Sequence, residues 1–79
     1  MINLNAMIAE VLRVPPAEIT DNTSMDSTSA WDSISHIEII FELEKKLAIV
    51  FNGDEIIKMT SVNKIKNLIF EKLGECVET

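Results

Sequence analysis

At 79 residues and 47% apolar side chains, the chain makes one small domain with a core near the lower limit for unaided stability, leaving no room for an enzyme cleft beside its own scaffold. A net charge of −6 excludes a nucleic-acid binder, which needs clustered Lys and Arg, and the lone Cys76 excludes an internal disulfide and fits a reducing compartment. No apolar run approaches the roughly 20 residues of a membrane span and no basic, signal-like start is present, so a cytoplasmic monomer without membrane contact is expected.

Leu4, Met7, Ile8, Val11 and Leu12 recur at helical spacing and predict a first amphipathic helix over about 3–13, with Asn3 or Asn5 as its cap. Pro15-Pro16 ends it, because proline removes a donor and drives the preceding residue out of the α region. Residues 14–32 are rich in Ser, Thr, Asn and Asp and read as a long loop pinned by Ile19, Met25 and Trp31. A compact domain seldom keeps such a loop unless it serves a function or packs on itself.

The second helix is predicted from about Ser33 to Ala48. At roughly 100° per residue its apolar side chains fall on two arcs. Ile39, Ile40, Leu43 and Leu47 form a core stripe. Ile34, Ile37 and Phe41 form a second strip beside Ser33, between Glu38 and Glu44. A helix in so small a bundle has difficulty burying both, so the second strip is expected to meet solvent or a partner.

Asn52-Gly53 signals a turn before a short helix over Asp54–Met59. Thr60 or Ser61 then caps a last helix through Leu73, in which Val62, Ile65, Leu68, Ile69 and Leu73 keep the period, and Gly74 fits the position after its end. Residues 75–79 read as a frayed tail beyond a core of about 3–74. No repeat or alternating strand pattern occurs. The expected fold is all-α: a small bundle of three main helices and one short helix, with a long loop after the first.

Acids are unevenly spread. Between Arg13 and Lys45 lie Glu18, Asp21, Asp26, Asp32, Glu38, Glu42 and Glu44 with no base among them, whereas the sign alternates after Lys45. This concentration around Ser33 is either a field that steers basic partner surfaces or a solubilising face.

Asp32, Ser33 and His36 contain the residue types of a hydrolytic triad, but all three lie within five positions of one helix start and no glycine-rich turn offers an oxyanion site. His36 is expected to pack near the first helical turn or to meet solvent or a partner. One His and one Cys forty positions apart make no metal site. Ser33 itself is suited to attachment: a helix N-terminus presents unpaired N–H groups and the positive end of the macrodipole to an ester-linked phosphate. Local chemistry alone equally allows Ser33 or Asp32 to be a plain N-cap.

Trp31-Asp32-Ser33-Ile34-Ser35-His36-Ile37-Glu38 resembles the Asp-Ser-Leu region of the acyl carrier proteins, with Ile34 in the leucine place. Glu42-Leu43-Glu44 followed by Leu47 resembles the run that continues their second helix, and Thr60-Ser61-Val62 the start of their last one. The likeness spans residues 4–73. It implies that a phosphopantetheinyl transferase, using coenzyme A and Mg²⁺, esterifies Ser33 with 4′-phosphopantetheine, whose thiol carries acyl groups as thioesters. It further implies that Asp32 aids transferase recognition, and that Ile34, Ile37, Glu38, Phe41 and Glu44 dock on partners with basic surfaces. Such partners would be an acyl-loading ligase or transferase and a ketosynthase or other acyl-processing enzyme of fatty acid or polyketide biosynthesis.

The resemblance has departures. Ser29-Ala30-Trp31 stands where glycine often precedes the Asp-Ser pair, and Lys45-Lys46 stands where many members are acidic, which narrows the partner set. Asp26-Ser27 is a decoy pair with no helical pattern directly after it. The Gly-Gly or Gly-His lead of peptidyl carriers is absent, favouring an acyl over an aminoacyl carrier. Without an arm, the same apolar strip would make the chain a helical adaptor.

Overall fold

In the computed structural model, which describes residues 3–74, α1 (Leu4–Leu12), α2 (Ser33–Leu47), α3 (Gly53–Lys58) and α4 (Val62–Leu73) follow in the predicted order, with a 3-10 turn at Pro16–Glu18. Residues 75–79, read above as a frayed tail with Cys76, lie outside the described residues. Asn3 caps α1 by accepting the Ala6 N–H at 3.1 Å. The helix closes on Arg13, which takes a left-handed conformation. The two prolines therefore begin the next turn, where the missing N–H costs nothing.

α1, α2 and α4 each turn one stripe inward. Leu4, Ile8, Ile39, Ile40, Leu43, Val62, Ile65 and Ile69 are buried to within 2% exposure and form one core with Trp31, Phe51 and Met59. Each such side chain contributes about 1.5–3 kcal/mol by leaving water. Leu47 is only half-buried at the edge of this core, and Leu73 is exposed, because α4 ends one turn beyond its last buried position, Ile69.

The long loop is ordered by the carbonyls it presents to α4. Ser61 caps that helix, its hydroxyl accepting the Lys64 N–H at 3.2 Å. Two further first-turn amides, which have no acceptor within the helix, are taken by the loop: Val62 N–H donates to the Thr23 carbonyl at 2.9 Å and Asn63 N–H to that of Asp21 at 3.1 Å. Met25 N–H donates back to the Thr60 carbonyl at 3.0 Å, and Lys66 pairs with Asp21. Ile19 and Trp31 then sink into the core as anchors, and the loop delivers the chain to the start of α2.

Candidate functional site

The residue that caps α2 is Asp32. Its extended backbone (φ −97°, ψ −174°) lets its carboxylate accept the Ser35 N–H at 2.9 Å while its carbonyl accepts the His36 N–H at 2.8 Å. The Ser35 amide chiefly holds the Asp32 carboxyl below the ordinary aspartate range, against an opposing desolvation and with smaller help from the Ser35 hydroxyl.

Capping by Asp32 leaves Ser33 as the first helical residue, exposed to solvent. Its hydroxyl enters no side-chain hydrogen bond among the described residues. The decoy Ser27 differs: its hydroxyl is held in a turn with Ser24 and Thr28.

A triad is excluded by direction as well as by spacing. His36 is 7% exposed and turned into the bundle, where the Trp31 indole N–H donates to its Nδ1 at 3.1 Å and its Nε2 meets the Ile56 carbonyl at 2.8 Å. Neither ring nitrogen is free to serve Ser33. The sequence left the histidine's direction open, but its helical position beside Ile39, Ile40 and Leu43 was the signal for an inward ring. Among the described residues no group of three or more His, Cys, Asp or Glu side chains could hold a metal ion.

Along the outer side of α2, Ile34 is 73%, Phe41 64% and Ile37 43% exposed. Each exposed side chain forgoes burial worth about 1.5–3 kcal/mol, so the three form an apolar strip left in water on the outer side of the helix. Glu38 is exposed beside them, and Phe41 and Glu38 also line a groove of about 360 Å³ against Met7, Glu10 and Val11 of α1.

Glu44 also has an internal contact. Grouped with the docking strip in sequence, it is half-buried and accepts the Phe51 N–H at 3.0 Å, so it closes the α2–α3 connection. Lys45, on the outer side, pairs with Glu42 at 3.3 Å. Ile57, which sequence reasoning missed, is 73% exposed on α3, next to the Ile56 carbonyl that meets His36. A six-residue helix carries too little period to reveal its outward face.

Comparison with known proteins adds a family and two relatives. The family described as phosphopantetheine attachment site matches residues 4–69. The acyl carrier protein 2 of polyketide-8 synthase from Streptomyces avermitilis is 31% identical over 72 residues, covering 91% of this chain and 83% of that protein. The solution structure of holo acyl carrier protein from Geobacter metallireducens superposes with a TM-score of 0.78 at 31% identity, over 90% of this chain and 82% of that one.

Proposed function

We propose, for a chain that belongs to the acyl carrier protein family with its phosphopantetheine attachment site, that Ser33 is the residue bearing the 4′-phosphopantetheine arm. The carrying observation is an exposed, uncommitted serine hydroxyl at the first position of α2, directly after a capping aspartate.

The residues present fit such a group. A phosphodiester at Ser33 brings one negative charge to a helix N-terminus, where first-turn amides lack helical acceptors and the macrodipole is worth about 0.3–1 kcal/mol at an exposed site. The Asp32 carboxylate opposes this, but its charge is engaged by the Ser35 amide. When bound, the group supplies a thiol that holds an acyl cargo as a thioester. The chain itself keeps the attachment point exposed, orients it by the Asp32 cap, and offers Ile34, Ile37 and Phe41 with Glu38 as a docking strip.

The protein then has no catalytic residue of its own and works as a cytoplasmic carrier. Its partners are a phosphopantetheinyl transferase that reads Asp32, an acyl-loading ligase or transferase, and acyl-processing enzymes such as a ketosynthase with basic docking surfaces. The similarity to a polyketide synthase carrier supports a polyketide-type cargo.

Incubation with coenzyme A, Mg²⁺ and a permissive transferase should raise the intact mass by one phosphopantetheine, and Ser33→Ala should take up none. A wild-type chain left unmodified by several transferases overturns the proposal.

A further inference from the structure

Three groups from three parts of the fold meet at the base of α2. The Trp31 indole N–H lies 3.1 Å from His36 Nδ1, with ring centroids 6.1 Å apart, and His36 Nε2 lies 2.8 Å from the Ile56 carbonyl of α3. Both aromatic residues are buried. The chemistry of the partners settles the histidine's state. An indole N–H can only donate, so Nδ1 must present its lone pair, and a carbonyl can only accept, so Nε2 must carry the hydrogen. Trp31 and the Ile56 carbonyl thus select the same tautomer, through which His36 bridges the segment before Ser33 and α3.

The position of this chain of bonds gives it a consequence. Trp31 is two residues before Ser33 and is the buried anchor of the segment that delivers it. His36 lies one turn after Ser33. At the far end, α3 contributes no fully buried residue between Gly53 and Lys58, so it depends on bonds such as this one for its seat.

We propose that His36 is a positioning residue which, fixed as its Nε2–H tautomer between Trp31 and the Ile56 carbonyl, ties the segment presenting Ser33 to α3 and so sets how the serine hydroxyl is offered to the enzyme that modifies it. This rests on the carrier reading of Ser33. Without the indole N–H, Nδ1 loses its donor and the ring is held from the Ile56 side only, so the link between the serine's lead-in and α3 is broken and that lead-in loses its stop. The outer strip of Ile34, Ile37 and Phe41 takes no part in these bonds, so docking and presentation are separable.

The separation makes the test. Trp31→Phe keeps an aromatic ring without the N–H, and His36→Leu keeps bulk without either nitrogen. His36→Gln sets an amide oxygen and N–H around one carbon, as the imidazole sets its two nitrogens. Each variant is checked for folding by circular dichroism and assayed for modification by coenzyme A and a permissive transferase. The first two should lose on the order of tenfold in kcat, as expected for a misplaced reacting group, with KM for the carrier nearly unchanged, and His36→Gln should recover most of the loss. Folded Trp31→Phe and His36→Leu proteins with wild-type kcat overturn the proposal, as does a loss carried by KM alone. If the wild type is not modified at all, the carrier reading fails instead. The relay is then judged by ¹⁵N NMR: in the wild type Nδ1 should resonate as a bare imine nitrogen and Nε2 as a protonated one. Trp31→Phe should speed amide exchange in α3 and shift the Ser33 amide, and unchanged signals at both places sink the relay.

Discussion

The Glu44 carboxylate accepts the Phe51 N–H at 3.0 Å, across seven residues that include the left-handed turn at Ala48. This bond holds the end of α2 to the start of the α3 segment and sets Phe51 in the core, where Lys72 of α4 lies 5.5 Å from its ring centroid. Glu44→Ala should therefore lower the unfolding free energy by about 1 kcal/mol, the net worth of a half-exposed charged hydrogen bond, while Glu38→Ala leaves it within about 0.5 kcal/mol. Urea denaturation checks the first effect. Binding of a basic partner should show the reverse order, with Glu38→Ala the more damaging of the two.

Asp32 caps α2, and the recognition task proposed for it is separable from that cap. Asparagine caps as well as aspartate does, so Asp32→Asn should keep the neutral-pH unfolding midpoint close to wild type while slowing modification, if the transferase reads the charge. Asp32→Ala should lose both. The carboxyl is held below its ordinary value of 3.8 in the folded chain, so its contribution to stability is present above that value and is lost as pH falls through the lower folded one. The wild type should accordingly lose more of its midpoint between neutral and acid pH than Asp32→Asn does, and equal losses would show that the capping charge is immaterial.

Phe41 and Leu43, two positions apart on α2, should respond oppositely to truncation. Leu43 is fully buried, and Leu43→Ala should cost about 2–5 kcal/mol, a large share of the roughly 5–15 kcal/mol that holds a domain. Phe41 faces solvent, and Phe41→Ala should change stability by about 0.5 kcal/mol or less. Phe41→Glu should leave the fold intact yet raise KM for the modifying enzyme, measured on the apo chain, and for the processing enzymes, measured on the holo chain. An unaffected KM with every partner would remove Phe41 from the docking strip.

Much of this protein could be read from local pattern. Helical period placed the inward stripes of α1, α2 and α4, a polar run marked the long loop, and the Asp32-Ser33 junction marked where that loop becomes a helix. Each of these signals is written within one turn or one run of residues, so no distant part of the chain is needed to read it. The choice of Asp32 over Ser33 as cap, the pairing of loop carbonyls Thr23 and Asp21 with the amides of Val62 and Asn63, the inward commitment of Glu44, and the exposure of Ile57 were decided only by the tertiary structure. So was the bond from Trp31 through His36 to Ile56. Hydrogen bonds between segments twenty or forty residues apart depend on where the packed core brings backbone groups that every residue possesses, and side-chain identity alone carries no record of that.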